Sequence, residues 1–389
     1  MGVIIMNWIA LPALVLLLLV NNGTSQSIIN TLPGYSGTLP VKLETGYIGV
    51  GENDEVQLFY YFIESENNPQ TDPLLFWMTG GPGCSGLSTL VYEIGPFSFD
   101  IADFDGSLPS ILINPYSWTK VANIILIDSP VGTGFSYAKT SKGYSSSDTK
   151  SAKDNYTFLR KWLLNHPMLS KNRLYVAGES YGGKLVPMVA MEILLGNEAG
   201  LQPRMSLQGY IIGNGITDPN IEFNERIPYA HRMSLIPDEY FKNQNYATSY
   251  AWANDPTVQE ALHVRKGTIG DWKRCNRSIS YEEDQESVLH HHKIFIKKGY
   301  DVLIFNGDHD MILPYMGPLK WIPTLNLTVD DNWRPWFVNG QVAGYTLKYK
   351  KNDFELTFVT VKGAGHTSAE YKPKECLAMI KRWLLTFPL

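Results

Sequence analysis

The sequence predicts a single α/β domain over residues 26–389, built on a mixed, mostly parallel β-sheet with helices on both faces. Short, unbroken apolar runs recur along the chain, as expected of strands buried on both faces of a sheet. Helical patterns alternate with these runs from end to end, which favours one doubly wound sheet over two separate domains. The 389 residues are 44% hydrophobic, which suits a packed globular protein and excludes a disordered one.

The elements follow from these patterns in chain order. Apolar runs predict strands at residues 56–63, 74–78, 124–127, 174–177, 210–212, 302–305 and 356–361. Helical spacing predicts helices at residues 151–164, 185–195, 256–262 and 376–385. Residues 217–254 interrupt the alternation, so we expect them to form an insertion on top of the sheet.

The N-terminal 25 residues are predicted to be a secretory signal peptide. An apolar block at residues 8–20 precedes a short polar stretch, and Gly23 and Ser25 are small residues two apart, which favours cleavage after Ser25. The alternative is an uncleaved anchor, but the apolar block is short for a membrane span and has no Lys or Arg flank. We therefore expect a secreted protein, extracellular or vacuolar, with no stable membrane association after signal removal.

Three Asn-X-Ser/Thr sequons agree with passage through the secretory pathway. Asn155, Asn276 and Asn326 are the predicted glycosylation sites.

Charge and cysteine content exclude several classes of function. A net charge of −5 without a basic run argues against a nucleic-acid partner. Three cysteines are too few for a disulfide scaffold, and the chain lacks CxxC and HExxH patterns, so we expect no metal. The run His290-His291-His292 is predicted to be ordinary helix surface, because consecutive residues point in different directions on a helix. We expect no cofactor.

The first candidate for chemistry is Ser180. It lies in Gly178-Glu-Ser-Tyr-Gly182, between a predicted strand and a predicted helix. This pattern is typical of the nucleophile elbow of the α/β-hydrolase fold, in which glycines allow a tight turn that exposes the serine hydroxyl. An ordinary surface turn is the alternative for the pentapeptide alone.

A serine needs a base to take its proton, and His366 is the candidate. His366 follows the last predicted strand, and the triad order of the α/β-hydrolase fold is Ser, then Asp, then His. Asp308 and Asp310 both follow the strand at 302–305, and either could orient the imidazole. Their spacing alone does not choose between them.

Backbone donors for an oxyanion are predicted from the glycine-rich turn at residues 79–83. This turn follows the strand at 74–78, and its N–H groups would act together with the N–H of Tyr181. A phosphate-binding loop is the alternative, but no Gly-Lys-Ser/Thr follows.

Five segments together resemble the serine carboxypeptidase family, over the chain from about residue 41 to 389. They are Trp77-Met-Thr-Gly-Gly-Pro-Gly-Cys-Ser85, Asp128-Ser-Pro-Val-Gly-Thr-Gly-Phe-Ser-Tyr137, Gly178-Glu-Ser-Tyr-Gly182, Gly307-Asp-His-Asp-Met311 and Gly363-Ala-Gly-His366. The resemblance implies a triad of Ser180, Asp310 and His366, with oxyanion donors at Gly81 and Tyr181. It also implies a disulfide between Cys84 and Cys275, which leaves Cys376 free.

The resemblance also points to a subgroup. Family peptidases bind the substrate's terminal carboxylate with an Asn before Gly-Gly and with two acids, and here these positions are Thr79, Glu93 and Glu179. The expected substrate-binding residues are therefore Thr79, Gly80, Glu93 and Glu179. With Thr at position 79, and with Trp333-Arg-Pro-Trp336 and Gly340-Gln-Val-Ala-Gly-Tyr345, the chain is similar to plant serine carboxypeptidase-like acyltransferases.

Three functions follow from the resemblance. The first is transfer of an acyl group from a 1-O-β-glucose ester to an acceptor alcohol in secondary metabolism, through an acyl-serine. The second is a carboxypeptidase that acts on peptide C-termini. The third is a weakly active or inactive truncated isoform, because the insertion at 217–254 is several dozen residues shorter than the family's. His366 is also followed by Thr-Ser-Ala-Glu-Tyr371 where the family has Thr-Ala-Pro-Glu-Tyr, and we expect the missing proline to loosen that turn.

Overall fold

The computed structural model describes residues 25–102, 106–226, 229, 247–276 and 279–389. Its strands are β1 (Ser25–Ile29), β2 (Leu43–Val50), β3 (Val56–Ile63), β4 (Leu74–Met78), β5 (Phe97–Phe99), β6 (Ile111–Ile113), β7 (Asn123–Ile127), β8 (Tyr137–Ala138), β9 (Ser145–Ser147), β10 (Leu174–Glu179), β11 (Leu207–Gly213), β12 (Ser280–Glu282), β13 (Asp301–Gly307), β14 (Thr328–Val338), β15 (Gln341–Lys351) and β16 (Phe354–Val361).

Helices lie between the strands and at the C-terminal end. They are α1 (Gly86–Tyr92), α2 (Asp148–Asn165), α3 (Gly182–Glu198), α4 (Pro219–Glu222), α5 (Ala247–Asn254), α6 (Pro256–Ala261), α7 (Leu289–Lys298), α8 (Met316–Trp321), α9 (Ser368–Tyr371) and α10 (Pro373–Leu384). Short 3-10 turns occur at Glu52–Asp54, Trp118–Lys120, Ser141–Tyr144, Pro167–Leu169, Phe223–Glu225 and Ile322–Leu325. Within these described residues, no helix is both long enough and apolar enough to cross a bilayer.

One large sheet organises the domain. Its strand order is β1-β2-β3-β7-β4-β10-β11-β13-β16-β15-β14, with β8 added beside β3. The six strands from β7 to β16 in this order are parallel to their neighbours, and the pairs on either flank are antiparallel. The carboxyl ends of the parallel strands therefore meet at one edge, which is where open α/β sheets place their sites.

Helices cover both faces of this sheet. Along β4, Leu75 and Trp77 pack in one apolar cluster with α1 and α10, whereas Leu74, Phe76 and Met78 pack in the other with α2 and α3. Successive strand residues point to opposite faces, so this division shows that a helical layer covers each side. The predicted fold class is confirmed.

Each predicted strand and helix is present, with ends that differ by a few residues. The flanking strands β1, β2, β14 and β15 had not been predicted. The predicted signal peptide lies outside the described residues except for Ser25, and so does much of the predicted insertion at 217–254.

Two surface predictions are contradicted. Asn155 lies on the buried face of α2 with no exposed area, so its amide nitrogen is not accessible to a glycan in the folded protein. His292 is equally buried, and its Nδ1 lies 2.6 Å from the hydroxyl of Tyr210. Burial lowers the pKa of His292 to about 3, so its ring is neutral and forms part of the core.

Candidate active site

Ser180 occupies the turn between β10 and α3. Its backbone φ is +54°, in the left-handed region that a serine adopts only when its surroundings impose it. Glycines are required on both sides, because a Cβ at Gly178 or Gly182 would lie 2.5 or 2.3 Å from the carbonyl oxygen of Met78. The close approach of β4 therefore explains the Gly-X-Ser-X-Gly pattern.

His366 lies between Ser180 and Asp310. Its Nε2 is 2.9 Å from Ser180 Oγ, and its Nδ1 is 2.9 Å from Asp310 Oδ2. The other carboxylate oxygen of Asp310 accepts the backbone N–H groups of Ile312 and Leu313 at 2.8 and 3.1 Å. This arrangement lets the imidazole take a proton from the serine while the carboxylate fixes its orientation.

Asp308 has a different set of contacts. Its Oδ1 accepts the backbone N–H of Gly363 at 2.6 Å, which ties the end of β13 to the turn after β16. Burial raises the pKa of the Asp308 carboxyl above its usual value. The structure thus separates two carboxylates that the sequence pattern left equivalent.

The glycine-rich turn after β4 lies against Ser180. A Cβ at Gly80 would be 2.5 Å from the Cβ of Ser180 and 3.0 Å from the backbone nitrogen of Tyr181. Gly81 has φ +110°, a conformation that favours glycine. Within the described part of the chain, the backbone N–H groups of Gly81 and Tyr181 donate to no protein acceptor. They are therefore available to an oxyanion.

Two restraints hold this turn in place. Cys84 forms a disulfide with Cys275, as the resemblance implied, and Cys376 is free and buried. Asp128, fully buried, accepts the hydroxyl of Ser85 at 2.7 Å and the backbone N–H of Gly86 at 2.8 Å, at the start of α1. The disulfide and these hydrogen bonds thus restrain the C-terminal end of the glycine-rich turn.

A buried ion pair lies next to Tyr181. Lys184 Nζ is 3.3 Å from Asp148 Oδ2, and both side chains have at most 1% exposure. Asp148 Oδ1 accepts the hydroxyls of Tyr181 and Tyr281 at 2.6 and 2.7 Å. The network anchors the side chain of Tyr181, the residue directly after Ser180.

A buried carboxyl pair includes Glu179, the residue directly before Ser180. Glu93 and Glu179 are buried and in hydrogen-bonding contact with each other. Burial raises the pKa of Glu93 to about 7. Burial and the charge of Glu93 raise the pKa of Glu179 well above its usual value, and Arg274 opposes both shifts. Two carboxyl groups in hydrogen-bonding contact need a shared proton, so this pair holds one near neutral pH.

Thr79 is connected to this pair through a second threonine. Its Oγ1 is 3.0 Å from Thr89 Oγ1, which in turn donates to Glu93 Oε2 at 3.0 Å. The structure therefore brings together Thr79, Gly80, Glu93 and Glu179, the four residues expected to bind substrate.

The two remaining predicted glycosylation sites differ in their surroundings. Asn276 is half-buried, and its Nδ2 donates to the carbonyl of Gly132 at 2.9 Å. Asn326 is exposed. Glycosylation at both stays a prediction. Among the residues that the structure describes, no group of three His, Cys, Asp or Glu side chains is placed to hold a metal ion.

Sequence reasoning missed Asn214, Asp148 and Lys184. Asn214 follows β11 directly, at the same sheet edge as Ser180 and Asp310. The criterion that selected those two residues, a polar side chain just past a parallel strand, would have selected Asn214 as well. No sequence signal pairs Asp148 with Lys184, which lie on different helices.

The family model for serine carboxypeptidase matches this chain at residues 33–251 and 240–386. The two matched segments meet where the shortened insertion is expected. Among curated proteins, serine carboxypeptidase-like 17 of Arabidopsis thaliana is 43% identical over 435 residues, covering 99% of this chain and 98% of that protein. Serine carboxypeptidase-like 7 of the same plant is 44% identical over 417 residues, covering 94% of each. Both alignments are longer than this chain, so both relatives carry residues that it lacks.

A solved structure shows the same fold. A prohormone-processing carboxypeptidase from Saccharomyces cerevisiae has a TM-score of 0.73 and 21% sequence identity, and the match covers 89% of this chain and 91% of the yeast chain. This likeness agrees with the α/β-hydrolase architecture. The family model and the plant relatives extend over nearly the whole sequence, and the chain belongs to the serine carboxypeptidase family.

Proposed function

We propose that this protein is an acyltransferase that moves an acyl group from a 1-O-β-glucose ester to an acceptor alcohol, with Ser180, His366 and Asp310 as its triad. The observation that carries the proposal is the placement of His366 within 2.9 Å of both Ser180 Oγ and Asp310 Oδ2. The proposed cycle uses only groups of this chain. We also propose that the signal peptide directs the protein into the secretory pathway, and that the protein is secreted or vacuolar.

The first half of the proposed cycle forms an acyl-serine. Ser180 Oγ attacks the ester carbonyl while its proton passes to His366 Nε2. The carbonyl oxygen becomes an oxyanion and accepts the N–H groups of Gly81 and Tyr181. When the tetrahedral intermediate collapses, the bond to glucose breaks, and the imidazolium returns its proton to the leaving sugar oxygen. Asp310 stabilises the imidazolium between these two transfers.

The second half transfers the acyl group. The acceptor hydroxyl gives its proton to His366 Nε2 and attacks the acyl carbonyl, and the same donors hold the oxyanion. Collapse then releases the new ester and returns the proton to Ser180. Water can replace the acceptor alcohol, so the yield of ester depends on how well water is kept out.

Thr79 favours transfer over peptide hydrolysis. Its hydroxyl is linked to Thr89, and the position offers no amide to a substrate carboxylate. A carboxypeptidase is the second candidate, and the Glu93–Glu179 pair favours it, because a shared proton between two carboxyls can be donated to a peptide's terminal carboxylate. The shortened insertion motivates the third candidate, a weakly active or inactive isoform.

Two assays separate the three candidates. A fluorophosphonate probe should label the wild-type protein and fail to label the Ser180→Ala variant, whereas an inactive isoform would leave both unlabelled. A separate, unlabelled sample of the wild-type protein is then given a panel of glucose esters with acceptor alcohols and, in a second assay, a panel of blocked dipeptides. New ester products support the transferase, and release of C-terminal residues without ester formation supports the peptidase and overturns our proposal.

A further inference from the structure

Asn214 lies at the carboxyl end of β11, the strand between the one that carries Ser180 and the one that carries Asp310. Its backbone N–H donates to the carbonyl of Phe305 at 2.7 Å, and its φ of +44° lies in the left-handed region. The side chain is only 1% exposed, so each of its polar atoms needs a partner inside the protein.

The amide of Asn214 joins the turns that carry the acid and the base. Its Nδ2 donates to Asp310 Oδ2 at 2.8 Å and to the carbonyl of Gly365, the residue before His366, at 3.3 Å. Asp310 Oδ2 is the same oxygen that lies 2.9 Å from His366 Nδ1. One side chain thus restrains the position of the carboxylate and the backbone beside the imidazole.

The hydroxyl of Ser368 fixes which way this amide points. Ser368 Oγ donates to Asn214 Oδ1 at 2.6 Å, and Ser368 is 1% exposed. A carboxylate and a backbone carbonyl only accept hydrogen bonds, so the amide nitrogen must face them. The amide oxygen then needs a donor on its other side, and Ser368 is that donor.

We propose that Asn214 and Ser368 are positioning residues for the triad, as the outer members of a chain that runs Ser368, Asn214, Asp310, His366, Ser180. The inference rests on the proposed catalytic role of Ser180. Asn214 holds the carboxylate oxygen that reaches His366, and Ser368 holds Asn214. Without the Ser368 hydroxyl, the buried amide oxygen has no donor, and the amide loses the bond that fixes its position beside Asp310.

The hydrogen bond from Ser368 to Asn214 gives a role to a residue that departs from the family motif. Position 368 is Ser where the family motif has Ala, and position 369 is Ala where the motif has Pro. The ring of a proline would restrain the turn after His366, and here a hydrogen bond from Ser368 to Asn214 restrains it. Thr367 adds a second restraint, since its hydroxyl donates to Glu370 Oε2 at 2.5 Å. The turn that was expected to be loose is therefore tied to the triad itself.

The test compares four variants of the full chain: Ser368→Ala, Asn214→Ala, Ser368→Thr and the control Ser88→Ala. Ser88 is also fully buried, but its hydroxyl has no hydrogen-bond partner in the described part of the protein. The measurements are the rate of fluorophosphonate labelling of Ser180, kcat and KM for p-nitrophenyl acetate, and the melting temperature.

We expect Ser368→Ala to lower the labelling rate and kcat about tenfold, and Asn214→Ala about a hundredfold, with KM little changed, because the lost bonds involve or support a charged group. Ser368→Thr keeps the hydroxyl and should restore most of the rate, and Ser88→Ala should match the wild type. The inference is overturned if Ser368→Ala and Asn214→Ala label at the wild-type rate, or if Ser368→Thr is as slow as Ser368→Ala while both melt like the wild type.

A spectroscopic measurement keeps this inference separate from the proposed function. The proton on His366 Nδ1, hydrogen-bonded to Asp310, should give a low-field proton resonance that shifts or broadens in Asn214→Ala and not in Ser88→Ala. If the wild type is not labelled by the probe, the proposed function fails. An unchanged resonance in Asn214→Ala would instead overturn the positioning role, whatever the labelling shows.

Discussion

Glu93 and Glu179 are buried in hydrogen-bonding contact with each other, and Glu179 directly precedes Ser180. A hydrogen bond between two carboxyls requires a proton on one of them. The protonation of this pair therefore depends on pH in a range where most carboxyls on a protein surface are already ionised.

The first prediction concerns the pH dependence of stability. The pKa of Glu93 is raised to about 7 and that of Glu179 is raised well above its usual value, so the stability that comes from the shared proton is complete below about pH 4.5 and is lost as the pH rises through about 7. The melting temperature should fall across this window. Glu179→Gln needs no shared proton and should reduce the slope, whereas Glu52→Gln at an exposed site should leave it unchanged. Parallel slopes for all three proteins in thermal scans would contradict the assignment.

The second prediction separates the two aspartates. Asp310→Asn should lower kcat by about 10⁴, because an amide at this position favours the wrong imidazole tautomer. Asp308→Asn keeps one side-chain oxygen that can accept Gly363 N–H and loses only the negative charge, so it should cost at most about 1 kcal/mol of stability, with a small change in kcat. Steady-state kinetics on an activated ester measure both. Equal losses in the two variants, or the larger loss in Asp308→Asn, would overturn the assignment.

The third prediction concerns the cysteines. Non-reducing peptide mapping should recover one cross-linked peptide that contains Cys84 and Cys275. Cys376 is fully buried, so iodoacetamide should modify it only after the protein is unfolded. Modification of Cys376 in the native protein, or its recovery in a cross-linked peptide, would show that the packing of α10 differs from that described here.

The fourth prediction tests the ion pair beside Tyr181. Asp148→Asn leaves Lys184 buried beside a neutral amide, with the exposed carboxylate of Glu283 at 3.7 Å as its remaining partner, and should destabilise the protein by about 3 kcal/mol. Lys184→Met should cost less, since Asp148 keeps two tyrosine donors. Lys150→Met breaks a partly exposed ion pair with Asp154 and is the control, with an expected cost below about 1 kcal/mol. Urea unfolding measures the free energy of unfolding of all three variants. Equal losses would show that the buried pair contributes no more to stability than the partly exposed pair.

The fifth prediction concerns specificity. Thr79→Asn places an amide beside Glu93 and Glu179, where it can donate to a substrate carboxylate. We expect hydrolysis of blocked dipeptides to rise and the yield of transferred ester to fall. Thr89→Val is the companion variant, because it breaks the link from Thr79 to Glu93 without adding an amide, and it should not raise peptide hydrolysis. Unchanged product ratios in Thr79→Asn would show that Thr79 does not decide between acyl transfer and peptide hydrolysis.

Predictions from sequence succeeded where a local pattern has a single physical solution. The buried parallel strands are continuous apolar runs, so their positions along the chain followed from the sequence pattern. Their order in the sheet came only from the structure. The flanking strand β14 contains Asp330, Asp331, Asn332 and Pro335 and is largely exposed, so it lacks the apolar run that identifies a buried strand. Its place in the sheet depends on pairing with β15, which is a tertiary effect.

The position of Asn155 could have been predicted better. It stands three residues after Ala152 and three before Phe158, which are both buried on the same face of α2. The helical period therefore indicated a core position, although the sequon suggested a surface. The burial of His292, in contrast, could not have been predicted from the sequence. It depends on Tyr210 from a distant strand, and no local pattern in α7 predicts that contact.

The disulfide also imposes an order on biosynthesis. Cys275 follows Cys84 by 191 residues, and Ser180 lies between them in the chain. A chain that leaves the ribosome from its N-terminus can thus form the turn around Ser180 before the second sulfur atom exists to fasten the glycine-rich turn. Asp310 and His366 follow Cys275 in the chain, so the disulfide can form before these two residues have been synthesised.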